Sequence, residues 1–251
     1  MNRLMVAVLW ITVKGGLNYP FEDPELSPDM FQGDIGIPPL KQRNGMNTAL
    51  HLWPNRTVFF EIEPNKFRDE HMALIRQAMN TIQEKSCVIF RNATEAERSS
   101  SLLITSQNKG CSTLVLGFRN FTNKMNLQLF DPGRGCFRIG SIIHEFLHVL
   151  GFEHQHVAQD RDQFVRIAWE NINPEFKINF INNDKISNFS SFGETYDYDS
   201  VMHYIPTAFS KNGMPTIIPL KEVGQRMGQR LGMSEIDVRK LNKMYKCPGY
   251  V

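Results

Sequence analysis

The residues best suited to chemistry are three histidines and a glutamate in the run HEFLHVLGFEHQH, which begins at His144. Because positions four apart lie on the same face of a helix, His144 and His148 can turn their imidazoles toward one metal ion. Glu145 lies about 100° further round such a helix, where it can reach a water on that metal without being a ligand. Gly151 can end the helix with a positive φ angle, so that the chain turns and brings in His154.

One catalytic Zn²⁺ is the cofactor that this arrangement predicts. A structural zinc site is closed by four protein ligands, whereas a catalytic site keeps one position open, and His144, His148 and His154 supply three. The spacing matches the extended zinc-protease pattern HExxHxxGxxH. His156 stays outside the ligand set because His154 already completes it. The alternative, a group of hydrogen-bonded core histidines, requires the whole spacing to arise by chance.

The elements that must position these residues predict an α+β fold. Residues 57–62 are rich in β-branched and aromatic side chains and predict a strand, whereas residues 67–85 carry the apolar stripe of a helix. The zinc helix is predicted over residues 139–150. Further strands are predicted at residues 87–90, 101–105 and 126–130. We expect an α+β lobe ahead of the zinc helix and an irregular second lobe after His154.

Length and composition are those of an ordinary globular protein. The chain has 251 residues, of which 41% are hydrophobic and 22% charged, and it can form one large domain or two small ones. Its net charge of +2 provides no basic field of the kind that binds nucleic acid. We therefore expect no nucleic-acid partner.

Residues 1–16 predict a secretory signal peptide. Arg3 supplies a positive charge, the apolar run LMVAVLWITV follows, and small residues end it at Gly15 and Gly16. The run is about half as long as a membrane-spanning helix needs to be, so we expect secretion and no stable membrane insertion. A buried core helix is the alternative interpretation. No A-x-A-like site marks the cleavage point, which we place after Gly15 or Gly16.

Cysteines and glycosylation motifs agree with an extracellular location. An even number of cysteines in an oxidising compartment predicts two disulfides, and three pairings are possible. The cysteines are Cys87, Cys111, Cys136 and Cys247. Candidate acceptors for N-glycosylation are Asn55, Asn92, Asn120 and Asn188.

Residues 17–43 differ in composition from the sequence that follows them. They contain five prolines, an acidic stretch and a closing basic KQR, which leaves little chance of regular structure. A segment of this kind between a signal peptide and a globular domain is either a linker or a propeptide.

A second motif reveals a family resemblance. The string SVMHY begins at Ser200, downstream of His154, and HExxHxxGFxH followed by SxMHY resembles the astacin family of zinc endopeptidases, which are metzincins. The similarity runs from about Asn44 to the end, so residues 44–251 are expected to form the catalytic domain. The resemblance implies a two-lobed metzincin-like protease domain, with a mixed β-sheet and helices in the N-terminal lobe and an irregular C-terminal lobe.

The same resemblance implies how the cysteines pair. Cys87 would bond to Cys247, which closes nearly the whole domain, and Cys111 would bond to Cys136. The second bridge closes a short loop and would stabilise the fold by roughly 3 kcal/mol in the chain-entropy model.

The string FQGD, which ends at Asp34, gains a role from the resemblance. In astacins this string lies in the propeptide, and its aspartate occupies the open position on zinc. A carboxylate can bind zinc and displace the catalytic water, while Gly33 lets the backbone approach closely. The resemblance implies that residues 17–43 are a propeptide and that Asp34 keeps the precursor inactive. A trypsin-like protease would activate it between Arg43 and Asn44. Taken alone, FQGD fits an ordinary turn.

Peptide hydrolysis at such a site needs an activated water and a donor to the tetrahedral oxyanion. Zinc lowers the pKa of a bound water from about 16 toward 7 and polarises the scissile carbonyl, and Glu145 takes the proton and returns it to the leaving amine. By resemblance, Tyr204 binds zinc in the empty site and turns away to donate to the oxyanion. Met202 would form a hydrophobic floor under the imidazoles and is not a ligand.

Substrate preference is suggested by the string MGQR, which ends at Arg230. It resembles the segment of those astacins whose arginine lines the pocket after the scissile bond. A guanidinium there would favour Asp or Glu in the substrate through a bidentate pair. Arg226 is a competing candidate, and a solvated surface arginine is the alternative interpretation.

Two residues depart from the astacin pattern. Gln155 stands where a glutamate usually binds the new N-terminal ammonium after activation, and an amide forfeits the charge-assisted part of that contact. Ala158 stands where an arginine is common. Because neither residue contacts zinc, these departures bear on activation and not on hydrolysis.

The function expected from the sequence is that of a secreted zinc endopeptidase made as a zymogen, with proteins or peptides as substrates. The alternative is a secreted binding protein on a catalytically silent astacin scaffold. A silent scaffold is expected to lose at least one of the zinc ligands, Glu145 or Tyr204, and all are present. A structural-zinc module requires a fourth fixed ligand that the catalytic region does not offer.

Overall fold

The computed structural model of this chain describes residues 23–36, 51–182, 191–221 and 227–250. Four features predicted above lie outside these residues: the signal peptide of residues 1–16, the activation site at Arg43 and Asn44, Arg226 and Asn188. Within the described ranges, no helix is long and apolar enough to cross a membrane.

A five-stranded mixed sheet forms the centre of the N-terminal lobe. Its strands are β1 (Thr57–Ile62), β2 (Ile89–Asn92), β3 (Leu102–Thr105), β4 (Cys111–Thr113) and β5 (Asn123–Leu127). They lie in the order β2-β1-β3-β5-β4, and β4 runs antiparallel to β5 while the other pairs are parallel. β4 is therefore an edge strand, whose outer backbone groups can pair with another segment.

Two helices pack on this sheet. α1 (Asp69–Lys85) buries Ile75, Met79 and Ile82, which lie on one face because they are three and four residues apart. α2 (Ile139–Leu150) is buried along nearly its whole length, as expected of an apolar helix in the middle of a lobe. Side chains of both helices and the sheet form one hydrophobic cluster.

Glycines decide how α2 ends and what can contact its first turn. Gly151 has a φ of 107°, and its N–H donates to the carbonyl of His148 at 2.9 Å, so the helix ends in a left-handed residue. At the other end, the N–H of Gly140 donates to the carbonyl of Arg230 at 3.1 Å. A Cβ on Gly140 would lie 2.1 Å from the carbonyl carbon of Arg230, so a side chain at Gly140 would push Arg230 away.

The C-terminal lobe has little regular structure. Its elements are a short antiparallel pair, β6 (Val165–Ile167) with β7 (Ile217–Pro219), and helix α3 (Glu235–Met244). A second hydrophobic cluster here includes Phe180, Tyr196 and Tyr204. Beyond α3, Tyr245 and Cys247 belong to the cluster of the first lobe, so the chain returns to the N-terminal lobe at its end.

The predicted α+β class is confirmed, and β1 and α2 have the predicted bounds. The strand predicted at residues 126–130 is wrong by three residues, because β5 spans Asn123–Leu127. Its asparagines are buried and bond to loop backbone: Asn123 Nδ2 donates to Val115 O at 3.0 Å, and Asn126 Nδ2 donates to Gly110 O at 2.7 Å. Polar residues of this kind hide a strand from hydrophobic patterning.

Candidate metal centre

Three imidazoles meet where α2 ends. His144 and His148 project from one face of α2, and the turn at Gly151 brings His154 to the same point. One ligand atom from each histidine and one from Asp34 all lie within 4.8 Å of one another, and all four residues are buried. The structure thus brings together the histidines that the sequence predicts.

Asp34 lies among the three imidazoles. Its Oδ2 is 3.1 Å from Nε2 of His144 and 3.1 Å from Nε2 of His154, and its Oδ1 is 3.4 Å from Nε2 of His148. Asp34 and the farthest of these histidines are 120 residues apart in sequence. The FQGD string therefore lies over the histidine cluster, where the resemblance puts it.

The second nitrogen of each ring has a hydrogen-bond partner. Nδ1 of His144 donates to Val201 O at 2.8 Å, Nδ1 of His148 donates to Phe152 O at 2.8 Å, and Nδ1 of His154 donates to Gln32 Oε1 at 2.8 Å. Because the proton of each ring is on Nδ1, where it is hydrogen-bonded to an oxygen, each Nε2 keeps its lone pair for a metal. This outer shell is the usual way in which a ligating histidine is oriented.

The cluster fits a zinc ion. Buried polar atoms normally have partners, yet Nε2 of His148 and Oδ1 of Asp34 have no hydrogen-bond partner among the described residues. Burial lowers the pKa of His154 to about 3, so this imidazole is neutral at physiological pH, as a ligand must be. Three imidazoles and one carboxylate are a set that tetrahedral zinc accepts.

Glu145 is buried beside the cluster and is held by one neighbour. Its Oε2 accepts a hydrogen bond from the hydroxyl of Thr113 at 2.9 Å, while its Oε1 has no partner in the described structure. Burial raises the pKa of Glu145 well above its usual value, and the carboxylates of Asp34 and Glu25 raise it further. One carboxylate oxygen is thus fixed and the other is free to take a proton.

Tyr204 contacts both the histidine region and the segment that carries Asp34. Its ring stacks on His156 with centroids 3.8 Å apart, and its hydroxyl donates to the backbone carbonyl of Gln32 at 2.5 Å. Met202 is buried, and its carbonyl accepts the N–H of Gln155 at 3.0 Å. The stretch around Met202 is therefore tied to the residue that follows His154.

Residues 23–36 lie against β4, at the edge of the sheet, and form backbone hydrogen bonds with it. The carbonyl of Asp34 accepts the N–H of Thr113 at 2.8 Å, and the N–H of Gly36 donates to the carbonyl of Thr113 at 2.9 Å. A further bond joins Cys111 N–H to Pro24 O at 2.8 Å. Ile35 and Thr113 form one isolated parallel bridge, so strand-type pairing joins the segment to β4 at a single point.

The side chain of Arg230 is largely covered in this structure, where it contacts the segment that carries Asp34. Its side chain is 7% exposed, and its Nε donates to Oε2 of Glu25 at 2.5 Å. Arg138 contacts the other oxygen of the same carboxylate, with Nη2 to Oε1 at 3.2 Å. These contacts hold the start of the segment beside the first turn of α2.

The other predicted sites are placed as follows. Disulfides join Cys87 to Cys247 and Cys111 to Cys136. Gln155 is buried, and its Oε1 accepts a hydrogen bond from Nζ of Lys240 at 2.7 Å. Three of the candidate glycosylation acceptors are exposed: Asn55, Asn92 and Asn120.

Sequence reasoning missed Thr113, Gln32 and Glu25. Each contacts the centre through a pairing between segments far apart in the chain, such as the separation of 205 residues between Glu25 and Arg230. Gln32 lies within the FQGD string and Glu25 lies nine positions before its aspartate, so the string was the available signal for both. For Thr113 no local pattern distinguishes a threonine of β4 from any other.

The site thus combines three imidazoles that fit zinc with a buried glutamate that has one free oxygen. The class of protein defined by this fold and centre is the zinc metalloendopeptidases. Residues 45–246 match the peptidase family described as Astacin, and the chain belongs to this family.

Known proteins similar to this chain agree with that family. Seminal metalloprotease 1 of Drosophila melanogaster is 56% identical over 231 residues, which cover 92% of this chain and 92% of that protein. Zinc metalloproteinase nas-7 of Caenorhabditis elegans is 35% identical over 218 residues, and these cover 87% of this chain but 54% of that longer protein. Among solved structures, high choriolytic enzyme 1, a hatching enzyme zinc-protease from Oryzias latipes, has a TM-score of 0.70 at 29% identity. It covers 82% of this chain and 100% of its own.

Proposed function

We propose that this chain is the precursor of a secreted zinc endopeptidase, kept inactive by its own Asp34. The observation that carries the proposal is the position of the Asp34 carboxylate, 3.1 to 3.4 Å from the Nε2 atoms of the three histidines. A carboxylate there takes the ligand position that water and substrate need. The precursor can therefore fold and bind zinc while substrate is shut out.

In the active enzyme, His144, His148 and His154 would hold zinc and Glu145 would transfer the proton. Zinc supplies Lewis acidity, which activates water and polarises the scissile carbonyl. Glu145 takes the proton of the attacking water on its free Oε1 and passes it to the leaving amine. The same group then acts first as the base and afterwards as the acid.

Tyr204 would stabilise the oxyanion. In the precursor its hydroxyl donates to the peptide carbonyl of Gln32 at 2.5 Å, and a substrate presents the same kind of acceptor. Once residues 23–36 leave, the hydroxyl can donate to the oxygen on which negative charge develops. A donor of this kind contributes a few kcal/mol at the transition state.

Activation would remove residues 17–43 by a trypsin-like cut between Arg43 and Asn44. With that segment gone, the buried guanidinium of Arg230 loses its carboxylate partner Glu25 and can accept an acidic side chain of the substrate. Secretion would follow from residues 1–16, and the two disulfides suit an oxidising compartment.

The test is proteolysis of a generic protein such as casein by the purified precursor, before and after treatment with trypsin, which is blocked with a serine-protease inhibitor before casein is added. We expect cleavage after trypsin treatment and inhibition that a chelator imposes and added zinc reverses. The matched control is Glu145→Gln, which keeps the ligands but removes the base and should lower kcat by at least about 10³-fold. Absence of cleavage by the treated wild type contradicts the proposal and favours a binding protein on an inactive scaffold. Equal cleavage by Glu145→Gln contradicts the role given to Glu145.

A further inference from the structure

A second carboxylate of the segment 23–36 is buried, nine positions before Asp34. Glu25 is 1% exposed, and its two oxygens are taken by two arginines: Oε2 by Nε of Arg230 at 2.5 Å and Oε1 by Nη2 of Arg138 at 3.2 Å. The two arginines lie 205 and 113 residues from Glu25 in sequence. This contact is therefore tertiary and does not follow from the FQGD string.

The site that receives Glu25 is built on the first turn of α2. Arg138 precedes the helix, and its Nε donates to the hydroxyl of Ser141 at 3.1 Å. The hydroxyl of Ser141 also helps to lower the pKa of Glu25. Arg230 reaches this turn through the bond from Gly140 N–H to its carbonyl at 3.1 Å. Two guanidinium groups thus hold the two oxygens of one carboxylate beside the first turn of α2.

The charges of this pair are retained in spite of burial. Burial by itself raises the pKa of Glu25, but the charges around it, that of Arg230 first, outweigh burial and bring the pKa to about 2. Arg230 keeps its charge, since Glu25 and Asp23 more than offset the cost of its own burial. Removing either partner would leave a buried charge uncompensated, which is costly.

The two carboxylates are joined by a loop that closes on itself. The N–H of Ser27 donates to the carbonyl of Gly33 at 2.8 Å. Gly33 has a φ of +81°, and a Cβ on it would lie 2.6 Å from the carbonyl oxygen of Glu25. The residue before Asp34 therefore packs directly on the backbone of Glu25. A compact loop of this kind transmits a loss of either contact to the other.

We propose that Arg138, Arg230 and Ser141 form a carboxylate-binding site that anchors the inhibitory segment through Glu25, as a second contact beside that of Asp34 with the metal centre. The surface fits a peptide that carries two carboxylates nine residues apart, and in the precursor that peptide is the chain's own residues 23–36. Because Glu25 fills the site, an acidic group of a substrate cannot enter it until the segment leaves. This inference rests on the proposed function.

The test uses the full-length precursor with Glu25→Gln, Asp34→Asn or the control Asp29→Asn. Asp29 is an exposed carboxylate of the same segment, so its variant removes the same charge without touching the arginines. Residual activity before trypsin treatment is divided by the activity of the same variant after treatment, which corrects for yield. Amide hydrogen exchange over residues 23–36 gives a readout that does not depend on activity.

Glu25→Gln should raise the normalised residual activity at least about 10-fold and speed exchange across the segment, whereas Asp29→Asn should match the wild type. In an Arg230→Gln background the change at Glu25 should add less to the rate of exchange than it does in the wild type, since only the contact with Arg138 remains. Glu25→Asp, which keeps the charge on a shorter arm, should give an intermediate rate and serves if Glu25→Gln does not fold.

The inference would be overturned if Glu25→Gln had the same exchange rate and residual activity as Asp29→Asn. It would also be overturned if the effects of Glu25→Gln and Arg230→Gln on the exchange rate were fully additive. In either case the trypsin-treated wild type would still cleave casein, so the proposed function would stand. Failure of the treated wild type to cleave would instead overturn the proposed function.

Discussion

At the scale of single residues, the centre depends on which atoms are already bonded and which are free. Each zinc-ligand imidazole has its Nδ1 bonded to an oxygen, and Glu145 has one oxygen bonded and one unpaired within the described residues. The bonded atoms orient the groups, and we expect the reaction to use the atoms that are free.

Thr113→Val should lower kcat of the activated enzyme about 10-fold, with a small change in KM. The change removes the hydroxyl that holds Oε2 of Glu145 at 2.9 Å, so the base samples orientations that do not face the water. Steady-state kinetics on a fluorogenic peptide measure this. Thr207→Val, at an exposed threonine, is the control, and an equal kcat for both variants would contradict the role of Thr113.

Tyr204→Phe should lower kcat about 10²-fold and leave KM nearly unchanged, because an oxyanion donor acts mainly in the transition state. The ring and its stacking on His156 at 3.8 Å are kept. Tyr198→Phe is a matched control, since it also loses one hydrogen bond to a backbone carbonyl, that of Phe164. A rise in KM at constant kcat would instead assign Tyr204 to substrate binding.

At the scale of elements, α2 and α3 position side chains and backbone groups that belong to other parts of the chain. Arg230 rests on the first turn of α2 through Gly140. From α3, the carboxylate of Asp237 accepts the hydroxyl of Ser200 at 2.6 Å and the N–H of Val201 at 2.9 Å. Since Val201 O accepts a hydrogen bond from His144 Nδ1, α3 acts on a zinc ligand through the backbone of one residue.

Gly140→Ala separates helix propensity from tertiary contact. Propensity alone predicts a gain in stability of about 1 kcal/mol, since alanine is the better helix former. The added Cβ would lie 2.1 Å from backbone atoms of Arg230, which predicts a loss of at least about 1 kcal/mol through overpacking. Urea unfolding of the precursor measures the change in the free energy of unfolding, and its sign decides between the two effects. A stabilised variant would contradict the contact between Gly140 and Arg230.

Asp237→Asn should lower the zinc affinity of the precursor by about 10-fold or more, as is typical of outer-shell changes. The amide cannot accept both bonds that hold Ser200 and Val201, so His144 loses its fixed orientation. Competition with a chromophoric chelator measures the affinity without any assay of activity. Glu235→Gln, on the exposed side of the same helix, should bind zinc like the wild type; equal losses would point to a general weakening of α3.

At the scale of the whole molecule, two disulfides close loops of very different length. The bond between Cys87 and Cys247 spans 160 residues, and that between Cys111 and Cys136 spans 25. The first joins the end of the chain to the N-terminal lobe, and the second joins β4 to the turn before α2. The longer loop restricts the unfolded chain more.

Replacing each cysteine pair by serines tests this difference. The chain-entropy model predicts that loss of the Cys87–Cys247 bond costs about 1.5 kcal/mol more than loss of the Cys111–Cys136 bond. Chemical unfolding of both double variants gives the two free energies of unfolding. A larger loss for the shorter loop would mean that native-state contacts of β4, and not the entropy of the unfolded chain, control the effect.

Much of the centre could be predicted from the sequence because its parts are local. His144, Glu145 and His148 are related by the period of one helix, and Gly151 marks the end of that helix through a φ of 107° that glycine readily adopts. The α+β class and the bounds of β1 and α2 likewise follow from side-chain periodicity within a few residues.

Only the tertiary structure decided what surrounds the centre. The hydroxyl of Thr113 against Glu145, the carboxylate of Asp237 behind His144, and Glu25 between two arginines all join segments tens to hundreds of residues apart. A sequence pattern reports which residues share a face of one element, because the period of the backbone sets that. It does not report which faces of different elements meet, since packing of the whole chain sets those distances.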